Sequence, residues 1–350
     1  WQRQLLFTQE PYEIPYHHFL RALDVLADHH CELEEGLFAR VRHLFNQDLD
    51  VVFYDLTSSY FEGDGPTGVA KRGYSRDGRS DCVQVVLGIA VTKAGFPIAY
   101  RMHPGNTVDV TTVQQIASDF GQRFRIDRCL VVGDSGLMSV QNAQQLTDLG
   151  LGYLLGMRAS SSPTAHQAIA ATSNRPPAGQ IGEVHYWPLQ VREGAGYVVL
   201  QSPGRLQKTV AILERKLAAV RPKLQQLERD VAAGKVRQLT TITARATRIL
   251  VEAKASPYIK LHIAPGHFSW RENTERIEWI RSQGGKYVLQ TNQLDLTPHE
   301  AAEAYRQLEV VEDCFRRLKD TLRLRPIYHR SPHRVIGHAG LCVIAPVSYT

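Results

Sequence analysis

Two aspartates stand where short apolar runs end. Asp55 directly follows Val51-Val52-Phe53-Tyr54, and Asp134 closely follows Cys129-Leu130-Val131-Val132. Runs of this kind read as buried strands, and open α/β sheets place their sites beyond the carboxyl ends of strands. A single aspartate there is ordinarily a turn residue or a helix cap. A pair on neighbouring parallel strands is different, because adjacent carboxylates repel and raise each other's pKa unless a cation stands between them. Mg²⁺ and Mn²⁺ prefer such hard oxygen donors. Phosphodiester cleavage and transesterification commonly use two such ions about 3.5–4 Å apart, so a third carboxylate is expected.

Candidates lie near the C-terminus. Thr297-Pro298-His299-Glu300 has the pattern of a capped helix start, and a long helix is expected from there to about Leu322, with Pro326 as its stop. Steps of seven residues are nearly two helical turns, so Tyr305, Glu312 and Lys319 share a face with Leu308 and Phe315 between them. A carboxylate on an otherwise apolar stripe marks Glu312. Glu309 is its rival, and Asp313 points away from both. Lys319 and the Tyr305 hydroxyl suit a DNA phosphate. The plainer alternative is a solvated face whose charges pair with neighbours such as Arg316, each pair worth about 0.3–0.5 kcal/mol.

The elements that must position these residues follow from periodicity. Residues 17–46 read as one or two amphipathic helices. Three strands follow, at 51–54, 83–92 and 96–102, the last two joined by the turn Lys93-Ala94-Gly95. A helix over 110–123, the strand 129–132, a helix over 140–149 and the strand 153–155 then alternate. The fold class is α/β, in the strand order of an RNase H-like mixed sheet flanked by helices. From about 156 to 285 the pattern changes to a β-hairpin (184–191 and 197–201) and a basic helical hairpin. Its apolar seam runs from Val210 to Val231, Pro222 interrupts its first helix, and Gly234 turns it. Lys286–Thr291 returns as a strand. The organisation is therefore a helical lead-in (1–50), a first core part (51–155), an insertion (156–285) and a closing core part (286–350).

Charge adds a partner class. The 350 residues carry a net charge of +6, but residues 205–255 alone carry +8. A concentrated positive field favours a polyanion such as nucleic acid. Five cysteines, widely spaced, define neither a disulfide framework nor a zinc site, and no apolar stretch reaches membrane-spanning length. A cytoplasmic protein is expected. The chain opens on Trp1 and stops just after the apolar run 341–345, so a fragment is also expected.

The segments Val52-Phe53-Tyr54-Asp55-Leu56-Thr57-Ser58-Ser59-Tyr60-Phe61 and Val132-Gly133-Asp134-Ser135-Gly136-Leu137-Met138 resemble the DDE transposases of bacterial insertion sequences. So does the 305–319 helix followed by Arg325-Pro326-Ile327-Tyr328-His329-Arg330, which is similar to the group with a Tyr-x2-Arg-x3-Glu-x6-Lys signature. The resemblance spans nearly the whole chain. It implies an RNase H-like core with an insertion before the last catalytic helix, Mg²⁺ or Mn²⁺ as two ions, and DNA nicking followed by strand transfer. By position it makes Asp55, Asp134 and Glu312 the metal-binding triad, choosing Glu312 over Glu309, and puts Tyr305 and Lys319 near the DNA backbone. Leu308 stands where the signature has Arg, so that phosphate contact is missing or made by a neighbour such as Arg306. Double-stranded DNA, as transposon ends and target, is the implied partner, with a homodimer acting on paired ends beside the nucleoid. Two alternatives remain: a catalytically silent DNA-binding remnant, and an RNase H-like nuclease without strand transfer.

Secondary features divide between uses. The Gly-rich basic loop 71–79, with Lys71 and Arg72, is either a DNA-contacting loop or a solvated hairpin tip. Arg316 joins these two and the signature residues as a candidate DNA contact. Asp64, Asp77 and Asp81 are weaker metal candidates, since none directly ends an apolar run. Gly105-Asn106 reads as a turn, Trp187, Trp270 and Trp279 as core packing, and His329, His333 and His338 as too irregularly spaced for a metal set.

Overall fold

The computed structural model describes residues 14–45, 51–124, 129–158, 162–173 and 175–348. Of the expected lead-in, residues 1–13 and 46–50 lie outside them. Two compact units divide the chain: Trp1–Met157, Val191–Gly196 and Leu289–Thr350 form the first, Arg158–Gln190 and Tyr197–Val288 the second.

In the first unit the amphipathic lead-in is two helices, α1 (Tyr16–Asp28) and α2 (His30–Phe45). Strands β1 (Val51–Tyr60), β2 (Gln84–Thr92) and β3 (Pro97–Pro104) form an antiparallel meander. A 3₁₀ turn (Asp109–Thr111) and helix α3 (Val113–Gln122) lead to β4 (Leu130–Gly133), and α4 (Val140–Asp148) leads to β5 (Gly152–Met157). β4 pairs parallel with β1 and β5 parallel with β4, giving the order β3-β2-β1-β4-β5. This is the mixed, RNase H-like order that the alternation of periods predicts. The centre of the sheet is covered on both faces, so its strands are apolar runs rather than strict alternations. On one face Val52, Tyr54 and Leu56 pack with Val113, Ile116, Ala143 and Leu146 of α3 and α4.

β1 is longer than its apolar run predicts. It continues through Asp-Leu-Thr-Ser-Ser-Tyr to residue 60, because β2 supplies an antiparallel ladder along its full length. Polar Thr57, Ser58 and Ser59 are buried there.

In the second unit, α5 (Pro163–Ala170) precedes the short strands β6 (Gly179–Ile181) and β7 (Val184–Tyr186), while β8 (Gln190–Arg192) and β9 (Ala195–Gln201) run through the unit boundary. β7 pairs antiparallel with the end of β9. The basic hairpin is α6 (Pro203–Ala232) and α7 (Leu239–Glu252), turned at Gly234, whose φ of 71° suits glycine. Leu213, Leu217, Val220, Leu224, Leu227 and Val231 form its buried seam. Pro222 lies inside α6 without ending it. A hairpin of β10 (Ile259–Ala264) and β11 (His267–Glu272), then α8 (Thr274–Gln283), complete that core.

The chain returns through β12 (Lys286–Thr291), next to β5 in the sheet. Thr297 and Glu300 form a reciprocal capping box that starts α9 (Pro298–Arg306). The single long helix expected here is broken. α9 ends at Gln307, α10 (Glu309–Arg316) starts after Leu308, and residues Arg317–Thr321 form a π turn. The seven-residue face of Tyr305, Glu312 and Lys319 is therefore not continuous, since the break separates the first pair and the wider π turn the second. α11 (Pro332–Ser348) packs against α1, where Arg334 grips Asp24 through Nε at 2.9 Å and Nη2 at 3.0 Å. His333 Nε2 also lies on that helix, 3.1 Å from an Asp28 oxygen.

Candidate active site

The parallel register of β1 and β4 aligns Val51 with Leu130, Val52 with Val131 and Phe53 with Val132. Continued two residues further, it sets Asp55 opposite Asp134. β4 stops at Gly133, so Asp134 leaves the sheet where Asp55 is still held in it by β2. Strand-end placement thus holds for Asp134, whereas Asp55 lies within its strand. A Cβ on Gly133 would lie 3.5 Å from the Tyr54 carbonyl oxygen, so the residues that follow each of them start out side by side, and the Asp134 charge acts on Asp55.

The turn after β4 is built for a fixed carboxylate. Asp134 Oδ1 accepts the Gly136 N–H at 2.7 Å. Buried Asn142, on α4, donates through Nδ2 to the carbonyls of Leu137 at 2.8 Å and Val110 at 2.7 Å. It thereby ties the Asp134 turn to the 3₁₀ turn that carries Asp109. A Cβ placed on Gly136 would lie 2.9 Å from Asp109 Oδ2 and 3.0 Å from Asp134 Oδ1, so both carboxylates bracket one point. Asp109 is a carboxylate beside Asp134 that strand-end reasoning misses, because it follows β3 by five residues and opens a helical turn.

The electrostatics agree with this crowding. Desolvation pushes the Asp55 carboxyl up to about 7, against a hydrogen bond from the Leu56 backbone. The Asp134 charge raises it further, Arg76 opposes, and Asp109 adds a smaller push upward. Hard oxygen donors of which one is held protonated near neutrality, chiefly by burial and to a lesser degree by the Asp134 charge, fit a divalent cation, which would favour the ionised form.

Glu312 stands on α10, exposed, while Val311, Cys314 and Phe315 bury the other side of that helix. α10 packs on β1, and Ser59 Oγ donates to the Leu324 carbonyl at 3.0 Å. Ser59 shares a strand face with Asp55 by alternation, so the segment bearing Glu312 covers the Asp55 side of the sheet. Among the described residues, no three His, Cys, Asp or Glu side chains are gathered closely enough to hold an ion. Asp55 and Asp134 are near each other, and Glu312 is not gathered with them.

The other predicted contacts are distributed unevenly. A Cβ on Gly156 of β5 would meet Tyr305 Oη at 2.7 Å and Ser135 N at 3.1 Å, so Tyr305 borders the Asp134 turn. Lys319 Nζ is 2.7 Å from Oδ1 of Asp77, a buried carboxylate that Arg325 also contacts. Arg316 pairs with Asp313 at 2.7 Å in solvent, and Lys71 and Arg72 are exposed on their loop. Gly73 of that loop rests on the Gly105-Asn106 turn, where a Cβ would come within 2.1 Å of the Gly105 carbonyl oxygen.

Residues 46–346 match the family described as Transposase DDE domain. The chain belongs to this family. No curated protein matches the transposase domain in sequence. Among solved structures, the piggyBac transposase in a synaptic complex with hairpin DNA is 12% identical, covering 49% of this chain and 36% of its own, with a TM-score of 0.32. The Mos1 transposase in its paired-end complex with the left transposon end is 18% identical over 43% of this chain and 47% of its own, with a TM-score of 0.23. The Mos1 mariner paired-end complex with Mn is 16% identical over 42% and 44%, with a TM-score of 0.21. The aligned part spans less than half the length of each of these chains.

Proposed function

We propose that this transposase domain cleaves DNA at the ends of an insertion sequence and joins the released 3′ ends to target DNA. Asp55, Asp134 and Glu312 hold two Mg²⁺ or Mn²⁺ ions in this reading. Family membership supports the reaction class, and the parallel register of β1 and β4, which brings Asp55 and Asp134 near each other just past its end, supports the site. Bound divalent ions would supply an activated oxygen nucleophile and stabilise the departing oxygen. The protein's part is placement. The Gly136 N–H holds the Asp134 carboxylate, Asn142 holds the turn that carries it, β2 fixes Asp55, and Glu312 on α10 is the proposed third ligand. Tyr305, Lys319, Arg316, Lys71 and Arg72 are the proposed contacts to double-stranded DNA, and a homodimer on paired ends is the proposed assembly.

The test separates binding from chemistry. Asp55→Ala, Asp134→Ala and Glu312→Ala should each lower Mg²⁺-dependent cleavage of terminal-repeat duplex to background while leaving duplex binding in a mobility-shift assay within a few-fold. Full cleavage by Asp134→Ala would overturn the assignment. A strand-transfer assay with pre-cut ends distinguishes the transposase from a nuclease, which would give cleavage without joined product.

A further inference from the structure

The loop between β1 and β2 carries a cation to the rim of the carboxylate pair. Arg76 Nη2 is 2.5 Å from Asp109 Oδ1, and that ion pair is only partly exposed. The second oxygen of Asp109 faces the point it shares with Asp134 Oδ1, so the guanidinium is separated from Asp134 by a single carboxylate. We infer that Arg76 is the phosphate-binding side chain of this site and that Asp109 is the positioning residue that holds its guanidinium; the inference rests on the DNA-cleaving reading above.

The loop is pinned independently of the Arg76 side chain. The Arg76 backbone N–H donates to the buried Ser58 Oγ at 2.9 Å. The next residue, Asp77, is anchored by Lys319 and Arg325. Asp109 in turn is held through the Val110 carbonyl by Asn142, the same residue that fixes the Asp134 turn. The guanidinium therefore stands on a rigid platform, as a group aimed at a transition state must.

Its chemistry suits a phosphodiester. A guanidinium offers five N–H donors in a planar fork that matches two phosphate oxygens. Only Nη2 has a protein partner among the described residues. Of the other cations named above, Lys319 and Arg325 are paired with Asp77 and Arg316 with Asp313 in solvent, while Lys71 and Arg72 are exposed on the same loop. A phosphodiester approaching two or three carboxylates meets like charge. A fixed guanidinium beside them offsets that repulsion and stabilises the negative charge that grows on the non-bridging oxygens during displacement.

The experiment uses the full chain and two readouts. The first is Mn²⁺ alone, titrated by electron paramagnetic resonance without DNA. Arg76→Ala removes a positive charge beside the carboxylates, so its Mn²⁺ affinity should rise several-fold; Asp109→Asn removes a negative charge, so its affinity should fall. Opposite shifts place both charges beside the carboxylates, and the cleavage readout then decides whether the guanidinium acts on the phosphodiester. The second readout is single-turnover cleavage of terminal-repeat duplex. Arg76→Ala should lose about 100-fold or more in rate with duplex affinity changed only a few-fold, and Arg76→Lys should recover little, because one ammonium cannot form the fork. Asp109→Asn should slow cleavage as well. Arg76→Lys keeps a cation at the position and guards against a folding defect in Arg76→Ala. Wild-type cleavage by a folded Arg76→Ala, or unchanged Mn²⁺ affinity in that variant, would overturn the inference. If Asp134→Ala abolishes cleavage while Arg76→Ala does not, the inference about Arg76 fails and the transposase reading stands. If Asp134→Ala cleaves fully, the broader reading fails first.

Discussion

Asp55 is held inside a strand where burial raises its carboxyl to about 7, while Asp134 projects from a turn fixed by Gly136 and Asn142. The sign of the pH dependence follows. The unfolded aspartate titrates near its ordinary value of 3.8, so between there and about 7 the folded protein keeps a proton that the unfolded chain releases. This contribution to stability is present below the lower value and is lost as pH rises through the upper one. A cation reverses the requirement, since it needs the ionised carboxylate. Thermal shift measurements should therefore show Mn²⁺ raising the melting temperature more at pH 8 than at pH 5.5, and Asp55→Asn should flatten that difference. An equal Mn²⁺ shift at both pH values would argue against Asp55 as a ligand. The pair was legible in the sequence because each aspartate ends an apolar run. Asp109 was not, because Val108-Asp109-Val110 carries no strand or turn signal that separates it from an ordinary helix start.

At the scale of elements, the site depends on how helices lie on the meander. α2 is fastened to β3 and α3 by a buried charge network. Glu34 accepts the Tyr100 N–H at 2.8 Å and contacts Arg101 at 3.1 Å and Arg123 at 2.8 Å, while Asp119 contacts Arg101 at 2.5 Å. Glu34→Ala leaves two largely buried guanidinium groups short of a partner, and removing one member of such a network costs about 3–5 kcal/mol. Chemical denaturation should show that loss; a change under about 1 kcal/mol would mean that solvent replaces the carboxylate. The strand cores were legible because β-branched and aromatic residues cluster there. The polar second half of β1 was not, because its pairing with β2 is a long-range fact. The break at Gln307-Leu308 was also hidden, since neither residue is a helix breaker. The β10–β11 hairpin did leave a signal: Ile259, Leu261 and Ile263 alternate before the turn residues Pro265-Gly266.

Across the whole molecule, charge and chemistry occupy different parts of the chain. The carboxylates belong to the first unit, and the segment with net charge +8 is the α6–α7 hairpin of the second. Lys208, Arg215 and Arg229 are exposed at multiples of seven residues along α6, a shared face opposite its apolar seam. If this face meets DNA phosphates, replacing all three with Gln should weaken duplex binding and shallow the dependence of log K on log salt by about 0.9 for each phosphate that is no longer neutralised. An unchanged slope would mark the face as solvated only. No described helix is long and apolar enough to cross a membrane, and all five cysteines are free. The central claim concerns the carboxylates, and anomalous scattering from crystals grown with Mn²⁺ and terminal-repeat duplex tests it most directly. Manganese peaks should be shared by Asp55 and Asp134 with the Glu312 carboxylate beside them. Crystals of cleavage-competent protein whose Mn²⁺ lies away from Asp55 and Asp134 would contradict the account.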